Sequence, residues 1–335
     1  MIPDMHRHAL HTPAPAETGP LQWEAAASPL PAAGQLLLRV RACGVCHTDL
    51  HIVEGELLPP AYPVVPGHQV VGTVEAVGEG VQDWTPGERA GMPWLHDACD
   101  ECEACRRGEE NLCSRARFTG LHVDGGFAEY VLARAPFAVR LPASIPDDHA
   151  APLLCAGIIG YRSLRKADLA PGEVVGLIGF GASAHLALQV ACSWGCTVAV
   201  FSRGESHRRL ALELGARWAG TIDQAPPVPL DRAVIFAPAG DLVPAALAWL
   251  RPGGTLAINA VHMSAIPSMP YASLYGERTL RSVANATRAD AREFLALAEK
   301  LHLQPTIERY AIKDANRALV DLKAGRIDGA AVLVP

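Results

Sequence analysis

The chain lacks any apolar run approaching the ~18 residues that a membrane-crossing helix needs, so no segment is expected to span a membrane. It also lacks a surplus of positive charge. Lys and Arg number 29 against 35 Asp and Glu, and the formal net charge of −6 offers no basic face to nucleic acid. Residues 1–20 contain His and Arg but no apolar core followed by a small-residue cleavage site. They do not read as a signal peptide, and the cytoplasm is the expected compartment. Low-complexity segments and internal repeats are missing too, although the prolines between Pro226 and Pro229 mark a loop. What remains is the composition of a packed globular protein, 50% apolar and 19% charged over 335 residues, a length that suggests two domains. Seven of the nine cysteines fall before residue 160. In a long intracellular chain, clustered cysteines hold metal more often than they form disulfides.

Near the N-terminus, Cys43-Gly-Val-Cys46-His47-Thr48-Asp49-Leu50-His51 and then Pro66-Gly67-His68 gather thiols, imidazoles, a hydroxyl and a carboxylate. Zinc accepts both thiolate sulfur and imidazole nitrogen, so this stretch reads as an open zinc site. Short β-type runs, Gln35–Ala42, Val70–Val77 and Gly126–Leu132, surround it. Pro59, Pro60, Pro63 and Pro66 forbid a helix between its halves, so the first 150 residues are expected to be mostly β and loop. Further on, Cys99-Asp-Glu-Cys102-Glu-Ala-Cys105 is followed by Cys113. Two-residue gaps let successive thiolates face one centre, and a fourth from the returning loop closes a tetrahedron. The expectation is a structural zinc lobe over about residues 95–117, with a redox or disulfide cluster as the competing reading. Its neighbours Asp100, Glu101, Glu103, Arg106, Arg107, Glu109 and Glu110 are too polar for a core, so metal would replace apolar burial there.

After Ala150 strands alternate with helices. Glu173 to Gly179 is an apolar strand running into Gly179-Phe-Gly181-Ala182-Ser183-Ala184, and His185–Trp194 continues as a helix. That context is what a dinucleotide-binding fingerprint requires, with alanine an accepted third residue. Further strands are expected at 195–203, 232–236 and 254–259, with helices at 206–214 and 242–250, which makes a doubly wound parallel sheet. A helix at 289–301 and the apolar Ala330–Val334 close the chain. An NAD-selective site places an acid at the end of the second strand. Here that position reads Phe201-Ser202-Arg203-Gly204, with no carboxylate until Glu205 and with Arg208 on the next turn. Serine and arginine suit a 2′-phosphate, so NADP(H) is favoured over NAD(H). In the competing reading Arg203 is merely solvated.

Taken together, the chain resembles the zinc-containing medium-chain alcohol dehydrogenase family over essentially its whole length. The resemblance rests on Cys46-His-Thr-Asp-Leu-His51, Pro66-Gly-His68, the four-cysteine lobe, Asp124-Gly-Gly-Phe-Ala-Glu-Tyr130, Cys155 and the Gly179 turn, all in the family's order. It implies an α/β fold: a Rossmann doubly wound parallel sheet domain at 156–287, plus a mainly β GroES-like catalytic domain with a structural zinc lobe, built from 1–155 and 288–335. It further implies Cys46, His68 and Cys155 as catalytic zinc ligands, although Cys155 read alone is a small buried hydrophobe. Two Zn2+ per chain follow, one of them held by Cys99, Cys102, Cys105 and Cys113. Zinc would polarise the oxygen of an alcohol or aldehyde while hydride passes to or from a nicotinamide.

The resemblance casts Thr48 as the hydroxyl that binds the substrate oxygen and His51 as the solvent-side base, with a cofactor ribose hydroxyl between them. Thr48 could instead cap a helix, and His51 could be one surface imidazole among 13. Asp49 would orient His68, and His47 would face the cofactor pyrophosphate, with a merely exposed histidine as the competing reading. Three positions depart from the family: Gln69 where glutamate is common, Ala184 at the third glycine, and Ala330 where a cation often follows Gly329. Cys43, which forms a Cys-x-x-Cys pair with Cys46, is expected to be a spare thiol, with a redox partner as the competing reading. Leu57, Trp94, Leu95 and Ile158 are candidates for an apolar substrate cleft for a small to medium, possibly aromatic, alcohol or aldehyde. The resemblance also suggests a homodimer or homotetramer. A zinc-free quinone or enone reductase of the same fold, and a zinc- and nucleotide-binding redox sensor, are the alternatives.

Overall fold

Eleven residues from Gln35 to Val45 form the strand around which one half of the structure is built. The coordinates are a computed structural model describing residues 4–335. They divide into two units, residues 4–155 with 286–335, and residues 156–285.

In the first unit a seven-stranded sheet runs in the order Ile307–Ala311, Ala330–Val334, Gln35–Val45, Gln69–Val77, Arg89–Met92, Val139–Arg140, and Tyr130–Arg134 joins the central strand off this path. Every pairing is antiparallel except that between Ile307–Ala311 and Ala330–Val334. The central strand runs beyond the expected 35–42, so Cys43 lies within it and Cys46 follows its last residue. Leu36, Leu38, Val40, Val70, Val74 and Phe127 belong to one buried cluster beneath it, while Arg39 and Arg41 point to solvent.

The strand expected at Gly126–Leu132 begins only at Tyr130. Residues 124–127 are diverted by a closer bond. Gly126 N–H donates to Gly67 O at 2.8 Å and Phe127 N–H to Pro66 O at 3.0 Å. A side chain at Gly125 would meet Gly67 O at 2.0 Å, so only glycine permits this approach. The run therefore straps the Pro66-Gly67-His68 turn.

The second unit is a six-stranded, wholly parallel sheet. Its order is Trp218–Gly220, Thr197–Phe201, Val174–Ile178, Leu230–Ile235, Leu250–Ile258, Thr279–Ser282. In sequence terms this is 3-2-1-4-5-6, the dinucleotide-binding arrangement. Helices Ala182–Ser193, Glu205–Glu213 and Leu242–Trp249 connect the strands, and each begins earlier than, or at the same residue as, expected. Strand residues such as Val175, Leu177, Val198, Val200 and Val234 are fully buried or nearly so, as a sheet covered on both faces requires.

Candidate metal centre and cofactor site

Cys46 is the N-cap of the helix His47–Glu54. Its Sγ accepts the Thr48 N–H at 3.4 Å, while Asp49 Oδ2 reaches back to the Cys46 N–H at 3.0 Å, completing a capping box. Thr48 is thus a buried residue of the first turn, and the cap is the cysteine itself. A helix N-terminus favours negative charge, which suits a thiolate. The other oxygen of Asp49 accepts from Gly67 N–H at 2.9 Å and from His68 Nδ1 at 3.0 Å. With Nδ1 donating, His68 turns Nε2 inward, 3.2 Å from Cys46 Sγ. Cys155 arrives from the other end of the unit, in a single π-helical turn, Leu153–Gly157, that follows Pro152. Such turns shift a helical side chain out of register and recur at functional sites.

The Sγ atoms of Cys46 and Cys155 and a ring nitrogen of His68 all lie within 4.8 Å of one another. A hydrogen bond from the Cys155 thiol, followed by His68, holds Cys46 well below the ordinary thiol range despite burial. Burial opposes charge on His68, yet the carboxylate of Asp49 and the thiolate of Cys46 together raise it well above its usual value. The field at the centre of the cluster therefore favours positive charge. Tetrahedral zinc with ordinary bond lengths would separate sulfur from nitrogen by about 3.6 Å, close to what the pair shows. Three protein ligands, rather than four, suit a catalytic rather than a structural ion.

Four further thiols, Cys99, Cys102, Cys105 and Cys113, also lie within 4.8 Å of one another. Their sulfurs are spaced 3.4 Å (Cys113–Cys99), 3.5 Å (Cys102–Cys105) and 3.8 Å (Cys99–Cys105). Tetrahedral Zn–S4 geometry calls for about 3.8 Å. Backbone N–H groups of Cys102 and Arg115 point at Cys99 and Cys113 sulfurs at 3.3 Å each. The backbone N–H of Glu101 is the main reason that Cys99 is lowered to about 6. Asp100 adopts φ +57° to turn the knuckle. Ion pairs around the lobe, such as Arg107–Glu103 and Arg115–Glu101, are largely exposed and stabilise it little. The donor set therefore fits a structural zinc. Among the described residues all nine cysteines are free, and burial pushes the Cys43 thiol well up.

Other expected residues fall into place unevenly. His47 is exposed on the first helical turn. His51 is buried, and its Nδ1 pairs with the carboxylate of Glu56, a residue that the sequence reading did not single out. Its signal was faint: an acid one residue past the helix-ending Gly55. Gln69 is buried and packs its amide against the backbone of Gly44 opposite. Trp94 lies beside His68 with ring centroids 5.7 Å apart and touches Phe118 at 5.0 Å. Leu95 and Ile158 are core residues, at 4% and 1% exposure.

In the second unit, Gly179 has φ +86°, and a Cβ there would strike Ala237 N at 2.9 Å. Gly181 differs, because a Cβ there would meet nothing within 4 Å. No protein atom demands that glycine, whereas a phosphate approaching the N-terminus of the helix Ala182–Ser193 would. Ala184 is fully buried, and the same helix face meets Gly160, whose Cβ would lie 2.8 Å from Ser183 O. Ser202 and Arg203 follow the strand Thr197–Phe201, and Arg203 is exposed. Arg208, expected on the phosphate side, donates Nη1 to the carbonyls of Ser202 and Arg203 at 2.8 Å each.

A parallel dinucleotide-type sheet and a β unit carrying a Cys2His cluster that could hold a metal ion are the marks of the medium-chain dehydrogenase class. Residues 32–143 match the alcohol dehydrogenase GroES-like domain family. Over 328 residues, 96% of this chain and 95% of the relative, the sequence is 49% identical to a probable alcohol dehydrogenase, AdhA, of Mycobacterium tuberculosis. A cinnamyl alcohol dehydrogenase from Sorghum bicolor superposes with a TM-score of 0.90 at 30% identity, covering 99% of this chain and 98% of that one. A cobalt- and zinc-bound thermostable alcohol dehydrogenase from Pyrobaculum aerophilum gives a TM-score of 0.90 at 25% identity, covering 99% and 100%. The chain belongs to the zinc-containing medium-chain alcohol dehydrogenase family, and it is an oxidoreductase of the alcohol/aldehyde dehydrogenase type. Among the described residues no helix is long and apolar enough to cross a membrane.

Proposed function

We propose that the protein interconverts small to medium alcohols and aldehydes, aromatic ones included, with NADP(H) in preference to NAD(H). In this reading it carries two Zn2+ per chain and works in the cytoplasm as a homodimer or homotetramer. Residues 1–155 and 288–335 act as the catalytic domain and 156–287 as the dinucleotide-binding domain. The observation that carries it is the convergence of Cys46, His68 and Cys155 donors, with Asp49 locking the imidazole from behind. These three would hold the catalytic zinc, and Cys99, Cys102, Cys105 and Cys113 the structural one. When bound, the catalytic ion acts as a Lewis acid on the substrate oxygen, and the nicotinamide gives or accepts hydride.

This chain's own residues do the rest. Thr48, buried and two residues after Cys46, supplies the hydroxyl that orients the substrate oxygen. His51 moves the proton that alcohol oxidation releases. His47 offers a ring N–H to the cofactor pyrophosphate, and Gly179, Gly181, Ala182, Ser183 and Ala184 cradle it. Ser202 and Arg203 read the 2′-phosphate, on a loop whose carbonyls Arg208 holds. Trp94, beside His68, borders the substrate position and favours aromatic substrates.

The test is a panel of alcohols and aldehydes assayed with both cofactors on metal-quantified protein. Two zincs per chain and aldehyde reduction faster with NADPH are expected. One zinc, or a Cys46→Ser protein with full activity, would overturn the metal-assisted reading.

A further inference from the structure

We infer that Glu56 is a positioning residue for the proton-transfer step: it sets the tautomer of His51 and balances the charge that the ring acquires. This rests on the reading of His51 as the base. The geometry is built into the end of the helix His47–Glu54. That helix stops at Gly55, in the left-handed conformation at φ +82°, where a Cβ would also strike Pro13 at 2.9 Å. The chain then folds back, and the N–H groups of Glu56 and Leu57 both donate to the carbonyl oxygen of His51, at 2.8 Å and 3.1 Å. Leu57 packs onto the core cluster and anchors the turn. The same residue that caps the His51 carbonyl therefore delivers its own carboxylate to the His51 ring, where Oε2 meets Nδ1.

A carboxylate can only accept, so Nδ1 must carry the hydrogen, which makes Nε2 the basic nitrogen of the neutral ring. The ring is 10% exposed and the carboxylate 43%, so the pair leads from a buried imidazole toward water. During alcohol oxidation the proton released from the substrate hydroxyl passes onto Nε2. The resulting imidazolium faces the anion of Glu56, keeps its Nδ1 hydrogen on that carboxylate and releases the proton from Nε2 to water, which restores the neutral Nδ1–H ring. In aldehyde reduction the same proton travels the other way. The arrangement is the familiar one in which a carboxylate holds a histidine base in its working tautomer.

The experiment compares His51→Gln, Glu56→Gln, Glu56→Asp and the double variant His51→Gln/Glu56→Gln, each with zinc content and unfolding temperature measured. Turnover of a good alcohol and the 15N spectrum of His51 in histidine-labelled protein are the readouts. Glu56→Gln is expected to lower kcat about tenfold with KM little changed. It should also move the His51 15N signals away from the pure Nδ1–H pattern. Glu56→Asp should restore most of the rate and the pattern, and the double variant should be no slower than His51→Gln. If His51→Gln keeps full turnover, the base reading falls and this inference with it. If His51→Gln is slow while Glu56→Gln keeps both its rate and the wild-type 15N pattern, only the role given to Glu56 is overturned.

Discussion

Asp49 Oδ1 accepts from His68 Nδ1 at 3.0 Å, and neither side chain has any exposure. The same carboxylate also collects the N–H groups of Gly67 and Cys46, so one side chain orients two of the three metal donors. Asparagine at this position would keep the volume but lose the charge and one acceptor. Asp49→Asn is expected to lower catalytic zinc occupancy and kcat/KM by roughly 10–100-fold while the lobe keeps its ion. Zinc content and turnover measured together check it, and normal values for both would refute the orienting role.

The strap over the histidine turn gives a second expectation. A Cβ at Gly125 would lie 2.0 Å from Gly67 O and 2.6 Å from Pro66 O, both backbone atoms that cannot swing aside. Gly125→Ala should push the Pro66–His68 turn outward, cost several kcal/mol of stability and release the ion at Cys46 first. Metal analysis should then read one zinc per chain, and retention of both would show that the turn can yield.

Around the four-cysteine lobe, exposed ion pairs and the sulfur cluster compete as the source of order. Cys105→Ser should leave one zinc per chain and lower the unfolding temperature markedly, because metal binding there is folding energy. Arg107→Ala, which removes pairs to Glu103 and Glu109 that are mostly solvent-exposed, should leave the unfolding temperature almost unchanged. Calorimetry of both variants decides between them; equal losses would mean that the charges, not the metal, hold the lobe.

Arg203 and Arg208 separate two ways of favouring a phosphate. If Arg203 reads the 2′-phosphate as proposed, Arg203→Ala removes a charge-assisted contact worth ~1.5–3 kcal/mol, so KM for NADPH should rise roughly 10–100-fold with little change for NADH. Arg208→Ala instead releases the carbonyls of Ser202 and Arg203, and should weaken NADPH binding through a looser loop. Kinetics with both cofactors test this, and equal losses for NADH and NADPH with Arg203→Ala would remove Arg203 from phosphate recognition.

Burial pushes the His185 imidazole down to about 4. In the unfolded chain the ring titrates near 6.5, so between these values the unfolded state binds more protons. Stability is therefore lost as pH falls from about 6.5 toward 4, with a contribution of up to ~3 kcal/mol from this ring. His185→Gln should show a shallower decline of unfolding temperature over that window than the parent protein. Parallel curves would mean that the ring is protonated in the folded state.

Local patterns were enough for much of this protein. The apolar strand running into Gly179-Phe-Gly181 announced the parallel sheet, since buried strand, tight turn and helix are contiguous in sequence. The four-cysteine lobe was legible for the same reason, its ligands lying within fifteen residues from Cys99 to Cys113. Cys46 and His68 could be suspected from residue type, whereas Cys155 entered only by resemblance. Its place was decided by the π turn after Pro152, which brings a thiol 87 residues distant from His68 to within 4.8 Å. Tertiary structure likewise decided that Gly125 and Gly126 leave the strand to hold Gly67, that Arg208 grips a loop, and that Glu56 meets His51. Each depends on a backbone approach or a turn geometry, and spacing along the chain carries no record of which atoms those bring together.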